Sequence, residues 1–189
     1  MNKKTNKVFI ISGPSGVGKT SVAKGVLKRL PFLKTTVTYT TRTKRLGKKE
    51  DKTIIHVSEE EFRTKVAAGD FLEWAVVHNN FYGTDAQVVA QELKKNSLLM
   101  NIDVQGALQI KQKMPAKTVL IFLKTENIDE LAKRIKHREK MPEAILKIRL
   151  QNARKELILA KKYDYIIINK AHKLTETINQ VIKIINENI

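Results

Sequence analysis

Short runs of consecutive apolar residues punctuate this chain, and between them lie longer stretches in which apolar residues return every three or four positions. Val8 to Ile11, Leu98 to Ile102, Val119 to Leu123 and Tyr165 to Ile168 are continuous and rich in branched residues. Such runs predict strands buried on both faces. The period of 3.6 predicts helices over Lys19 to Leu30, Ala86 to Lys95, Val104 to Lys113, Ile128 to Arg138, Glu143 to Lys162 and Leu174 to Ile185. Strands that alternate with helices of this length require crossover connections, hence a parallel sheet covered on both faces. The expected fold class is α/β, a doubly wound parallel sheet.

Thr35 to Tyr82 breaks that rhythm with Thr-rich and aromatic strand candidates around one helix, and it reads as an inserted small lobe. Ser58 and Glu61 fit a capping box at the start of its helix, and Gly69 suits the exit turn. No internal repeat is present. With 189 residues, 42% of them hydrophobic, the chain has enough apolar content for one core and little for a second. A single domain is expected, with core segments 1–34, 85–138 and 150–189, an insertion over about 35–84, and a lid over about 139–149.

Lys and Arg total 36 against 19 Asp and Glu, a formal charge of +17, so the molecular field attracts anions. Zero Cys excludes a disulfide scaffold, a thiolate metal site and a cysteine nucleophile. The apolar run Val8 to Ile11 is far too short for a signal-peptide core, and no later run approaches the roughly 20 residues of a membrane span. The expectation is a cytoplasmic protein that engages no membrane. Neither a groove-reading helix nor an aromatic platform accompanies the charge, so no specific nucleic-acid partner is expected.

Gly13-Pro14-Ser15-Gly16-Val17-Gly18-Lys19-Thr20 satisfies G-x-x-x-x-G-K-[ST] between a predicted strand and a predicted helix. In that context the glycines let backbone N–H groups wrap phosphate oxygens, Lys19 meets the β- and γ-phosphates, and Thr20 ligates Mg²⁺. The motif implies a nucleoside triphosphate. Only eight of the 36 cationic residues are Arg, and Arg42 and Arg45 stand three apart in a hydroxyl-rich segment, where their planar forks suit a second phosphate. Arg134, Arg138 and Arg149 form a later group.

Glu73 lies within Phe71-Leu72-Glu73-Trp74-Ala75, where an unpaired carboxylate would be costly. It either pairs with a structural cation or accepts both N1–H and N2–H₂ of a guanine while a hydroxyl such as Thr38 donates to O6. Tyr82 and Thr84 follow on a turn that either projects them into the same cleft or packs them. Asp103 ends the second core strand, at the edge where open parallel sheets bind ligands. His56, His78, His137 and His172 share no metal-ligand spacing.

Taken in order, the P-loop, Thr40 to Arg45, Glu73-Trp74-Ala75, Tyr82-Gly83-Thr84, Ile102 to Gly106, the Arg134 to Arg149 region and Tyr163 to Asn169 resemble the guanylate kinase family. The resemblance runs from Val8 to about Ile168. It implies transfer of a phosphoryl group from ATP to GMP with Mg²⁺, by a monomer or small homo-oligomer. By the same resemblance Arg42, Arg45 and Tyr82 hold the GMP phosphate, and Thr38, Glu73, Thr84 and Asp103 surround guanine. Arg134, Arg138 and Arg149 line the ATP side and a lid, Asn169 lies near adenine, and Lys19, Arg42, Arg138 and Arg149 carry the catalysis. The chain departs from the family pattern at Ile54, where a tyrosine is usual, and at Asn101, where an acid is usual. Glu139 and Lys170 stand where Gly and Asp are usual. Rival readings are a non-catalytic interaction module of the same family and a P-loop kinase for another phosphorylated acceptor.

Overall fold

The computed structural model describes residues 6–44, 53–77, 79–138 and 141–189, and of Arg138 the backbone alone. Five parallel strands form the main sheet: β1 (Val8–Ser12), β2 (Leu33–Lys34), β7 (Ser97–Asn101), β8 (Thr118–Lys124) and β9 (Tyr165–Ile168). Their order is β2-β7-β1-β8-β9. Alternate residues of β1, β7 and β8 serve opposite covered faces, which is why these strands read as unbroken apolar runs; β9, expected to be buried on both faces, is an edge strand that leaves Ile166 and Ile168 exposed. Phe9, Ile11, Leu99, Ile121, Leu123 and Ile167 pack on one side with α1 (Lys19–Arg29) and α7 (Leu174–Glu187). Val8, Ile10, Leu98, Met100, Leu120 and Phe122 pack on the other with α3 (Ala86–Glu92) and α4 (Val104–Lys113).

The chain between β8 and β9 forms α5 (Ile128–Arg138), α6 (Glu143–Leu159) and a 3₁₀ turn over Ala160–Lys162. The periodic stretch expected to run unbroken to Lys162 thus tightens into a 3₁₀ turn at its last residues. The two-residue β2 is too short for its pattern to stand out in sequence. The helix expected to reach Lys95 ends as an α-helix at Glu92, because Lys94, Lys95 and Asn96 turn back onto the carbonyls of Gln91 and Glu92.

The insertion carries its own sheet, ordered β4-β3-β6-β5, from β3 (Thr38–Thr40), β4 (Ile54–His56), β5 (Phe71–Val77) and β6 (Asn80–Asp85). Its helix α2 (Glu59–Ala67) starts as expected, with Ser58 Oγ accepting from the Glu61 N–H at 3.1 Å. The reciprocal bond from the Glu61 side chain is not formed among the described residues. Gly69 exits the helix at φ +74°. Phe62, fully buried on α2, stacks on Phe71 at 4.6 Å and lies 5.3 Å from Phe81, centroid to centroid. Tyr39 meets Phe71 edge-on. This aromatic cluster is the core of the lobe.

Between Phe71 and Glu73 the pairing with β6 shifts by one residue, so Phe71 sits opposite Asp85 and Glu73 opposite Thr84. A regular strand would put residues two apart on one face. Here the bulge leaves Phe71 against α2 and swings Glu73 to the other side. Ile54, Thr38, Thr84 and Glu73 then form one row across the four strands, with Tyr82 and Ala75 in the next row.

Phe62→Ala would empty the centre of this lobe. The expected cost is about 3 to 5 kcal/mol, read by urea unfolding, and a loss under about 1 kcal/mol would mean that the cluster does not hold the lobe.

Candidate active site

The loop from Gly13 to Gly18 links β1 to α1. Gly13 has φ +136°, and a Cβ there would overlap the Leu123 carbonyl oxygen. Gly18 has φ +102°, and a Cβ there would come within 2.6 Å of Asn169 Nδ2. Both positions therefore demand glycine. Neither a capping side chain nor an acidic residue occupies the first turn of α1, so its N–H groups face the loop. Lys19 Nζ donates to the carbonyls of its own loop at Gly13 and Pro14.

The loop is braced from outside. Asn169 is buried at the end of β9; its Nδ2 donates to the Val17 carbonyl at 2.8 Å, and its Oδ1 accepts from Thr177 at 2.8 Å. Arg134 donates to Glu130 at 2.7 Å, to the Asn169 carbonyl at 2.9 Å and to the Val17 carbonyl at 3.4 Å. Its edge donors are thus engaged, while the side chain still borders the cleft.

That cleft, about 830 Å³, brings most of the expected site residues together. Gly13, Ser15, Gly16, Gly18, Lys19 and Thr20 line one end, and Thr38, Arg42, Glu73 and Tyr82 the other. Asp103, Arg134, Arg149 and Asn169 border it as well. Pro14 and Val17 shape the loop without lining it, the Val17 side chain lying in the core, and Thr84 is buried behind Glu73. Arg45, His78, Glu139 and the side chain of Arg138 lie outside the described residues. No group of three or more His, Asp or Glu suited to a metal occurs among the described residues.

Glu73 is 2% exposed. Its Oε1 accepts from the Thr84 hydroxyl at 2.7 Å, while Oε2 is buried without a partner. Burial pushes the carboxyl up to about 7; Asp103 adds to the rise, and the Thr84 hydrogen bond and Lys113 oppose it. The carboxylate lies against the first turn of α4, where a Cβ at Gly106 would overlap Oε2. Asp103 caps that helix, accepting from Gln105 N at 2.7 Å and Gly106 N at 3.3 Å.

The outer edge of β5 is held by α4. Trp74 N donates to Gln109 Oε1 at 3.3 Å, Gln109 Nε2 donates to the Trp74 carbonyl at 2.9 Å, and Lys113 donates to the Leu72 carbonyl. Gln109 thereby pairs with the strand as a neighbouring backbone would, and it fixes the lobe against the main sheet beside Glu73. The sequence pattern did not mark Gln109, and it included Gly106 only as the end of the Ile102 to Gly106 segment, without a role. Each bears on a strand distant in the chain, so no local signal exposes what it does.

The two walls belong to one known architecture. The family model for guanylate kinase matches residues 5–188. The chain belongs to the guanylate kinase family. A guanylate kinase of Fusobacterium nucleatum is 40% identical over 183 residues, 96% of this chain and 97% of that protein. One from Thermotoga maritima is 39% identical over 180 residues, covering 95% and 86%. The crystal structure of guanylate kinase from Anaplasma phagocytophilum superposes with a TM-score of 0.82 at 30% identity, over 100% of this chain and 89% of that one. A shikimate kinase structure from Bacteroides thetaiotaomicron, at 10% identity and a TM-score of 0.52, covers 95% of this chain and 98% of its own and shares the fold.

Two positions read from the sequence as departures from the resemblance, Ile54 and Asn101, have clear places in the fold. Ile54 stands beside Thr38 in the row that leads to Glu73, with the strand register intact. Asn101 ends β7 and donates from Nδ2 to Thr20 Oγ1 at 3.1 Å, so a neutral amide meets the hydroxyl at the start of α1. No helix among the described residues is long and apolar enough to cross a membrane.

The raised pKa of Glu73 gives stability a pH dependence. The folded state binds the proton more tightly than the unfolded chain, whose value is near 4.5, so this contribution is complete below pH 4.5 and is lost as pH rises through about 7. The loss is about 3 kcal/mol over that window. Unfolding free energies at pH 5 and pH 8 should differ by less in Glu73→Gln than in the parent chain, and identical slopes would place the Glu73 proton elsewhere.

Proposed function

We infer that this chain transfers the γ-phosphoryl group of ATP to GMP, giving ADP and GDP. One observation carries the reading: a P-loop and the buried carboxylate of Glu73, matched to guanine and with Oε2 unpartnered, line the same cleft. In its ionised form that carboxylate accepts N1–H and N2–H₂ of guanine, which adenine cannot supply. Thr84 orients it through its hydroxyl, Thr38 next in the row is suited to donate to O6, and Asp103 lines the same cleft.

Arg42, Arg45 and Tyr82 take the GMP phosphate in this reading, with planar forks matched to phosphate oxygens. Lys19 leaves the Gly13 and Pro14 carbonyls for the β- and γ-phosphates, where loop N–H groups and the start of α1 add positive potential. Arg134 offers adenine its flat face, since its edge is spent on Glu130 and two carbonyls. Asn169 serves the ATP side by bracing the loop at Val17. Residues 139–149 act as the lid of a single unit whose insertion, about 35–84, takes GMP, and Arg138 and Arg149 close over the transferring group. The work is done in the cytoplasm.

Hard oxygen donors suit Mg²⁺, and the Thr20 hydroxyl at the start of α1, which lines the same cleft as Asp103, would provide one. When bound with ATP, Mg²⁺ screens charge on the β- and γ-phosphates. The step itself needs no strong base, because the GMP phosphate is already an anion. One of its oxygens forms a bond to the γ-phosphorus as the bond from that phosphorus to the β–γ bridging oxygen breaks, and the electron pair leaves on ADP. Alignment and screening of two repelling anions is the work required of the protein.

An assay with ATP, Mg²⁺ and a panel of acceptors tests the reading, and turnover confined to a non-guanine acceptor would refute it. Lys19→Ala is expected to remove nearly all activity, and Arg149→Ala to lower kcat by roughly 10³-fold with little change in nucleotide affinity. Wild-type turnover in either variant would contradict the assignments. Glu73→Gln is expected to erode the preference for GMP over AMP, since a hydrogen-bonding pocket rejects a mismatched base by roughly 10⁴-fold. Unchanged selectivity would remove Glu73 from base recognition.

A further inference from the structure

One face of α6 carries Leu146, Arg149, Ala153 and Glu156, and Ala160 at the start of the 3₁₀ turn continues the line, with spacings of three and four. Leu146, Ala153 and Ala160 are buried, so the stripe points inward. Glu156, half-buried between the two alanines, lines the cleft with Lys19, Thr20 and Asp103. The other cleft carboxylates have work: Glu130 holds Arg134, Asp103 caps α4, and Glu73 accepts from Thr84. Glu156 forms no hydrogen bond or ion pair among the described residues. Burial raises its pKa, Lys19 opposes the rise and Asp103 reinforces it.

The surroundings are also under-satisfied. Ser12 Oγ at the end of β1 and Tyr163 Oη face one another without closing a hydrogen bond of ordinary geometry, and both are buried. Burial raises the phenol, and Asp103 and Glu156 push it the same way, so both carboxylates stand near enough to the phenol to act on it. An ionised carboxylate in a cleft for triphosphate repels its own ligand unless a cation arrives with that ligand. Lys19 is required by the phosphates, and Asn101, beside Thr20, is neutral.

We propose that Glu156 faces the hydrated cation of metal-bound ATP and makes the cleft favour the Mg²⁺ complex over bare ATP. This rests on the ATP-binding reading given above and adds a residue for which that reading has no role. Glu156 acts through the metal's water shell, as a positioning residue, and Asp103 lines the same cleft. The residue is the charge that Asn101 does not supply.

Equilibrium dissociation constants for ATP, measured by calorimetry with excess Mg²⁺ and again with chelator, test this without reference to turnover. Glu156→Gln is expected to bind bare ATP more tightly than the parent and Mg²⁺-ATP less tightly. The ratio of the two constants should fall by roughly tenfold, the worth of one hydrogen bond to a charged group. Glu187→Gln, which removes an acid on α7 outside the cleft, should leave the ratio unchanged. Equal shifts in both constants for Glu156→Gln would mean a structural or general charge effect, such as a pairing with Arg149 in a closed state, and would overturn the proposal. If the Gln variant does not fold, Glu156→Asp retracts the carboxylate by one methylene and should lower the ratio by several-fold, and an unchanged ratio there is equally fatal. A parent chain with no measurable affinity for either form would bring down the ATP-binding reading as well, whereas a parent that prefers Mg²⁺-ATP beside a variant with the same preference sinks only the role of Glu156.

Discussion

Burial of a carboxylate at the join between two sheets constrains the rest of this molecule. Left to itself, Glu73 would prefer water, and burial raises its proton affinity in spite of Lys113 nearby. Four features converge to hold it there. The bulge at Leu72 turns it away from the aromatic cluster, and Thr84 satisfies one oxygen. Gly106 makes room on α4, and Gln109 clamps the strand that carries it. The second oxygen is left for a partner that brings its own donors. An unsatisfied acceptor in a dry site discriminates strongly, since a ligand without matching donors leaves the cost in place.

The opposite wall is rigid for a related reason. A loop that surrounds phosphate with N–H groups gains most when those groups need not be reorganised on binding. Asn169 and Arg134 both hold the Val17 carbonyl from elements far along the chain, and Thr177 on α7 locks the Asn169 amide in turn. The start of α1 is thereby tied to β9, α5 and α7. A change in any of these distant elements would be felt at the phosphates through the loop backbone.

Much of the architecture could be read from the chain. The four unbroken apolar runs are strands of one parallel sheet, three of them covered on both faces and apolar for that reason, while β9 lies at the edge with Ile166 and Ile168 exposed. The P-loop was legible because its geometry depends on glycines within a few residues of each other. Ser58 and Gly69 marked α2 for the same local reason. What escaped was the joining of distant pieces. A one-residue bulge leaves no trace in composition, and the run Phe71 to Ala75 does not announce that Phe71 and Glu73 face opposite ways. Glu156 was invisible because a lone acid on a long charged helix looks solvated until Leu146, Ala153 and Ala160 are seen to be buried. Asn169 was legible as a site residue, yet its amide proves to serve the loop.

The sheet margins have a consequence for encounters between copies of the chain. An open strand edge is a template on which another polypeptide can extend the ladder. Here β2 offers two residues and β4 three, too short to register a foreign strand, and β9 offers four. The seven-residue β5 would be the most hospitable edge, and along it the Trp74 amide, the Trp74 carbonyl and the Leu72 carbonyl are occupied by Gln109 and Lys113. The contact that seats Glu73 also covers part of the edge on which another strand could pair.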